Sequence, residues 1–372
     1  MNRMTVLKIK DSVDLFLSND RYLMVYYMNS RQRKSFRVNE EMIHLLENID
    51  GVKSVEDICK IMKDSWNTEP SYVEDVLCML QENRIVTEGV REQTLLSPDL
   101  MERYKRQINY FAEFLGSEYE GIVAQRKLLD THVLVFGCGA VGGDIAEQLV
   151  MAGVGHITLF DHDKVEESDV SRHMFYRETY DSLNKVEALK TELLKINPSV
   201  QVDCILDAMQ PESNIIDLIR SVDFVVDTLD EPYIGYTAAK ISRICVKYRI
   251  PHYIAGGFDA HLASTGELII PYVTPCVECY ASHFKKVLKD WKPRMHPVVE
   301  RYTEIGGLSS MSLFSSSYAC IEIIKCIIGL VNMEDSFKIR GEFLFHDMSL
   351  TYLNVKKNPA CPICGGSLDV ET

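Results

Sequence analysis

The chain opens with polar–apolar alternation. Thr5 to Lys10, Asp14 to Leu17, Tyr22 to Met28 and Lys34 to Val38 each repeat every second residue, which predicts strands. The period then changes to that of a helix. Met42, Leu45, Leu46 and Ile49 follow Asn39 as N-cap and stop at Gly51. Val55, Ile58, Ile61 and Met62 follow Ser54, and Val73, Val76, Leu77 and Leu80 line a third helix from about Ser71 to Gln81. Residues 1–95 thus read as a small winged-helix-like α+β domain. Residues 96–130 read as a polar helical linker starting near Pro98. From Thr131 short apolar runs alternate with amphipathic stretches, the pattern of a doubly wound, mostly parallel Rossmann-type sheet over residues 131–372.

Composition narrows the class. Hydrophobic residues are 46% and charged residues 25% of the 372, ordinary for a globular protein. The net charge of -14 speaks against a broad nucleic-acid surface. The first residues carry no apolar signal stretch, and Glu322 and Lys325 interrupt the apolar run Ile321 to Val331, which reads as a core helix. A cytoplasmic protein without membrane association is expected. Its eleven cysteines are then thiols or metal ligands rather than disulfides.

A winged helix raises the question of DNA. Residues 1 to 90 hold 12 Lys/Arg against 15 Asp/Glu, which disfavours phosphate binding. Arg31, Arg33, Lys34 and Arg37 form a basic cluster, either a solvated strand end or a place where an acidic peptide pairs with a sheet edge. The stretch FRVNEEMIHLLENIDGVKSVEDICKIM, Phe36 to Met62, resembles the peptide-recognition domain of ribosomal-peptide maturation enzymes, related to the pyrroloquinoline-quinone chaperone.

The apolar run His132 to Phe136 leads into Gly137-Cys138-Gly139-Ala140-Val141-Gly142 and an amphipathic helix. Such glycines allow a tight turn and close backbone approach to a phosphate or ribose at a helix N-terminus. A second strand, His156 to Phe160, ends in Asp161, placed to bind ribose hydroxyls. A NAD-dependent dehydrogenase would share all of this. The segment from Ile157 to Val200 separates the two: Asp161, Asp163, Ser168, Asp169, Arg172, His173, Lys185 and Ile196-Asn197-Pro198 resemble the ThiF/MoeB superfamily, which includes the ubiquitin-activating enzymes. Asp169 and His173 stand where asparagine and glutamine are usual.

The resemblance implies ATP-dependent adenylation of a carboxyl group. Gly137, Gly139, Gly142, Asp161, Asp163 and Asp169 would seat the nucleotide. Arg172 and Lys185 would neutralise the triphosphate. Asp230, after the strand Val222 to Val226, would anchor Mg2+, with Glu231 where asparagine is common. The segment ERYKRQINYF, Glu102 to Phe111, resembles one whose second arginine reaches a partner's ATP site; that role falls on Arg106 and implies a homodimer.

Two C-x-x-C pairs, Cys276/Cys279 and Cys361/Cys364, can complete a closed tetrahedral site, so a structural Zn2+ is expected. Relatives that form thioesters carry a cysteine after the first pair; Tyr280 to Leu313 has none. That stretch carries Lys285, Lys286, Lys289, Trp291, Arg294 and His296, and is either a substrate clamp or an inert crossover. The whole chain resembles the single-protein adenylating enzymes of microcin C and pantocin A type pathways. The expected substrate is a ribosomally made precursor peptide held through its leader, its activated carboxyl closing a ring by intramolecular attack. Alternatives are nucleotidylation of a peptide C-terminus, adenylation of a sulfur-carrier protein, and a scaffold without activity.

Overall fold

The computed structural model describes residues 2–89, 95–231, 234–259, 262–290, 307–331, 340–353 and 355–365. The chain divides into two compact units, Met1–Arg126 and Lys127–Thr372. The first runs β1 (Val6–Ile9), β2 (Val13–Leu17), β3 (Tyr22–Tyr27), β4 (Gln32–Arg37), α1 (Glu40–Glu47), β5 (Asp50–Ser54), α2 (Val55–Trp66), α3 (Pro70–Glu82), β6 (Val86–Glu88) and α4 (Pro98–Leu115), with most of α5 (Glu118–Asp130).

Local chemistry sets these boundaries. Asn39 accepts the Met42 N–H at 2.8 Å and starts α1. Ser54 and Asp57 cap α2 reciprocally, Ser54 N–H donating to Asp57 at 2.9 Å and Asp57 N–H to Ser54 at 3.1 Å. The apolar stripes of α1, α2 and α3 then close on Leu7, Val25 and Val86. Two features depart from the pattern. The four alternating stretches do not share one sheet: β2, β3 and β4 form a meander, but β1 pairs with β5 and β6 in a separate sheet. Residues 50–54, read as the stop of a helix, are strand β5, and Gly51 adopts a φ of +79° there. Their sequence, Asp-Gly-Val-Lys-Ser, has no alternation to announce a strand; pairing with β1 makes it one.

The second unit contains β7 (His132–Phe136), α6 (Ala140–Ala152), β8 (His156–Phe160), α7 (Lys185–Ile196), β9 (Gln201–Ile205), α8 (Ile216–Arg220), β10 (Phe224–Asp227), α9 (Ile234–Lys247) and β11 (His252–Ile254). It continues with β12 (Phe258–Asp259), β13 (Leu262–Ser264), β14 (Glu267–Ile269), α10 (Val277–Val287), α11 (Ser309–Ile328), β15 (Arg340–Leu344) and β16 (Ser349–Leu353). Six strands order as β14-β11-β10-β7-β8-β9, all parallel except β14. The apolar runs of β7, β8 and β10 are buried, as a sheet covered on both faces requires. Strand order reverses between β7 and β10, which opens a crevice at their C-terminal ends. A second sheet, β12-β13-β15-β16, is antiparallel.

Helix α11 is apolar and long enough to cross a bilayer by composition. In this fold Met311, Ala319, Ile323 and Ile327 are buried, and the helix packs on α6. That contact encloses a carboxylate. Asp144 is 2% exposed, and among the described residues its Oδ2 meets the hydroxyls of Ser312 and Ser316, at 3.4 and 3.5 Å. Burial, with the nearby Glu147 carboxylate, pushes the Asp144 pKa up to about 7. A carboxyl whose folded pKa lies above its unfolded value favours folding at low pH; that contribution is lost as pH rises from about 4 through about 7. Asp144→Asn is therefore expected to be more stable than the parent at about pH 8, by up to ~4 kcal/mol at ~1.4 kcal/mol per pKa unit. Urea unfolding should show that gain shrinking towards about pH 5; a gain independent of pH would contradict the assignment.

Candidate active site and metal centre

The C-terminal ends of β7, β8 and β10 bring most of the expected nucleotide residues together. Gly137 turns the chain at a φ of +90°, and a Cβ on it or on Gly142 would run into Thr228. The hydroxyl of Thr228 donates to the carbonyl of Phe136 at 2.8 Å, locking the turn against the end of β10. Gly139 faces open space, so its lack of a side chain leaves room rather than relieving a clash. Gly143, which the motif did not single out, lies under the Phe175 ring.

Asp161 is almost wholly buried, and both its oxygens are engaged. Oδ2 accepts the Cys138 N–H at 2.6 Å and Oδ1 the Asp163 N–H at 2.8 Å. A carboxylate oxygen carries two lone pairs, so each keeps one for a ligand hydroxyl. Asp163 holds Lys185 twice: its carbonyl accepts the lysine N–H at 2.9 Å, and Oδ2 lies 3.3 Å from Nζ. Asp169, buried in the short 3-10 turn Glu167–Ser171, completes the cluster. Its Oδ1 accepts from Arg172 at 2.9 Å and its Oδ2 lies 3.6 Å from Lys185 Nζ. Burial opposes the charge on Lys185, but Asp169, Asp163 and Asp161 outweigh it and hold its pKa above the usual lysine range. Lys185 is thus a fixed cation at neutral pH.

His173 is sealed beside this cluster. Its Nδ1 lies 2.7 Å from the Asp169 carbonyl, while Nε2 has no hydrogen-bond partner among the described residues. Burial, with help from the charges of Lys185 and Arg172, lowers its pKa to about 4. Tyr176 donates to the carbonyls of Cys138 and Lys185, at 2.8 and 3.2 Å, and ties the turn to α7. Tyr176 and Thr228 were not legible as site residues, because the carbonyls of Cys138 and Phe136 that they reach lie far along the chain; Gly143 was passed over because the Phe175 ring that covers it is equally distant in sequence. Asp227 was passed over as well. It is buried at the end of β10, Oδ2 is unpartnered among the described residues, and burial raises its carboxyl to about 7.

Asp230 is exposed beyond β10. Its neighbour Glu231 lies 3.9 Å from His162 Nε2, which is also 3.5 Å from Asp163. The loops after β8 and β10 therefore meet. Arg106 lies exposed on α4, in the first unit. Lys285, Lys286 and Lys289 are exposed at the end of α10 and just after it. Trp291, Arg294 and His296 lie outside the described residues.

The two C-x-x-C pairs do converge. Sγ of Cys276 is 3.6 Å from that of Cys361, Cys279 is 3.5 Å from Cys364, and all four sulfurs lie within 4.8 Å of one another. A tetrahedral zinc with Zn–S near 2.3 Å separates its sulfurs by about 3.8 Å, so the cage is compatible with that ion. All four residues are buried among Ala238, Val246, Ile254 and Ile269, and burial pushes the Cys276 thiol far up and the Cys364 thiol to about 11. A dication would hold such buried sulfurs as thiolates. The Asn358 N–H already points at Cys279 Sγ, at 3.4 Å. The seven other cysteines are free and buried or half-buried.

The ThiF family matches residues 104–363. The chain is 28% identical over 281 residues to the adenylyltransferase and sulfurtransferase MOCS3 of Drosophila persimilis, covering 73% of this chain and 55% of that protein. It thus spans about half the length of that relative. It is similar to the solved structure of E. coli MccB with MccA-N7isoASN, with a TM-score of 0.70 and 20% identity, over 97% of this chain and 99% of the other. The structure of PaaA gives a TM-score of 0.70 and 21% identity, over 94% and 100%. At such identities these two likenesses establish the fold.

Elemental analysis is expected to find about one zinc per chain, lost on Cys364→Ser. Because residues 355–365 contain no helix or strand and bury chiefly Val355, Cys361 and Cys364, the variant should expose this tail to limited proteolysis. Zinc retained in Cys364→Ser would refute the four-sulfur site.

Proposed function

Because the chain belongs to the ThiF family, we propose that it uses ATP to adenylate a carboxyl group of a ribosomally made precursor peptide, which then cyclises with loss of water. One observation carries the adenylation: Lys185 and Arg172 sit on a shared carboxylate, Asp169, beside the glycine turn. Two cations held by fixed carboxylates are preorganised. When the triphosphate enters, they turn to its oxygens without a large rearrangement, and the like-charge repulsion facing an incoming carboxylate falls. Asp161 receives ribose hydroxyls on its remaining lone pairs. Asp230 offers a hard oxygen for a magnesium ion, which when bound shields the phosphates. The peptide carboxylate attacks the α-phosphorus, and pyrophosphate departs.

The peptide is taken by the first unit. β4 is an edge strand whose six residues are all exposed, so its unpaired backbone groups can accept a further strand. Arg33 and Lys34 lie over Tyr26 and Tyr27, at 5.6 and 5.5 Å, which makes the edge cationic. An acidic leader fits that charge. Lys285, Lys286 and Lys289 favour acidic side chains as the activated groups, the pantocin-type outcome. The likeness to MccB, solved with a peptide, supports nucleotidylation as the second reading; the likeness to MOCS3 supports a sulfur-carrier substrate. The cytoplasm is the expected compartment for any of these. Arg106 completes the site of a second copy, and exposed Tyr110 and Phe114 on the same helix give that copy an apolar surface to cover.

Incubation with MgATP and the peptide encoded by a short neighbouring reading frame separates these outcomes by mass. Loss of water supports cyclisation, gain of a nucleotide supports the second reading, and an unchanged peptide opposes both. Lys185→Ala should lower ATP–pyrophosphate exchange by about 10²-fold or more; unaltered exchange would sink the adenylation reading. If Arg106 acts in trans, mixing Lys185→Ala with Arg106→Ala protein restores part of the exchange, whereas no recovery argues for a role within its own chain. Arg33→Glu with Lys34→Glu should weaken peptide binding, by about 1 kcal/mol or more, with a smaller salt dependence. Fluorescence anisotropy of the labelled leader checks this, and undiminished binding would exclude the β4 edge.

A further inference from the structure

Ring closure by an amide or amine releases a proton, and Tyr280 to Leu313 offers no cysteine to carry the acyl group meanwhile. The base that takes the proton can be sought among the described groups around the glycine turn. Asp161 is engaged by two backbone N–H groups. Asp163 and Asp169 balance Lys185 and Arg172. Asp227 and His173 are sealed, at 1% and 6% exposure. His162 is different. Its side chain is 44% exposed, its backbone is pinned between Asp161 and Asp163, and its Nε2 lies 3.5 Å from Asp163 and 3.9 Å from Glu231.

The topology says where this imidazole stands. β8 and β10 are not neighbours; β7 lies between them, so their axes are roughly 10 Å apart. The loops that follow them nevertheless bring His162 and Glu231 within 3.9 Å. The pair therefore meets over the end of β7, where the glycine turn seats the nucleotide. Glu231 is a carboxylate, and its charge faces the ring across 3.9 Å.

Resting on the adenylation reading above, we infer that His162 is the general base of the capture step and that Glu231, 3.9 Å away, stabilises the charge that arrives on the ring with the proton. The substrate nitrogen attacks the acyl carbon of the mixed anhydride. The N–C bond forms, the carbon–oxygen bond to the phosphate breaks, and AMP leaves with that electron pair. The proton of the nitrogen passes to an imidazole nitrogen of His162 and then to water. Both residues are exposed, so substrate can reach them.

The test uses the full-length protein, MgATP and the synthetic precursor peptide, with and without hydroxylamine. Hydroxylamine captures acyl adenylates without a protein base, so hydroxamate reports activation alone and ring closure reports activation with capture. In His162→Ala and His162→Gln, the ratio of ring closure to hydroxamate should fall by about 10²-fold. Added imidazole should restore part of it in His162→Ala, which loss of a merely structural contact would not allow. Glu231→Gln should lower the ratio by a smaller factor. An unchanged ratio in both His162 variants, or a fallen ratio that imidazole leaves unmoved, overturns the assignment. Absence of hydroxamate from the unsubstituted protein removes the adenylation reading itself.

Discussion

The Asp161 carboxylate organises the site by binding backbone rather than side chains. One oxygen fixes Cys138 in the glycine turn; the other fixes Asp163 in the following loop. Asp163 then holds Lys185 at the start of α7, Lys185 meets Asp169, and Asp169 holds Arg172. A single buried anion thus relays its position through two loops to both cations. Buried carboxylates need hydrogen-bond partners, so the two N–H groups that satisfy Asp161 shape the loops around it.

Charge inside this unit is distributed unevenly. Lys185 is a buried cation with carboxylates around it and stays charged. Asp227 and Asp144 are buried carboxyls with no cation beside them among the described residues, and burial raises their pKa values to about 7. The first arrangement prepares a site for an anion, since the lysine can exchange protein carboxylates for phosphate oxygens. The other two place a proton-dependent group at the sheet crevice and in the α6–α11 contact. This ThiF-family chain therefore holds a preformed cationic cluster and, elsewhere in the same unit, carboxyls that resist ionisation.

The metal centre and the missing thiol address different problems. Residues 355–365 have no helix or strand, so four sulfurs closing on one ion would give them a fixed place. Nothing comparable is needed near the glycine turn, where strand pairing and Thr228 already hold the backbone. On the reading proposed above, an activated carboxyl with no cysteine after the first C-x-x-C would react where it is formed, and the base it needs would be sought in the loops after β8 and β10.

Much of this was readable from residue order. The runs 132–136 and 156–160 are strands with those bounds, and the amphipathic stretch after the glycine turn is the helix α6. Glycines, capping residues and cysteine pairs carry local or pairwise information, since each restricts a turn, a helix end or a ligand set by itself. The identity of β5 was not readable, because Asp-Gly-Val-Lys-Ser becomes a strand only by pairing with β1. Nor was the role of Asp161 as a backbone clamp, the sealing of His173 and Asp227, or the approach of His162 to Glu231 across β7. Those depend on which strands are neighbours and on what water can reach, and both are decided by the packed sheet. The sequence by itself determined the donors and cations available; the tertiary structure decided which of them face one another and which remain open to a ligand, because burial and pairing are properties of distant segments brought together.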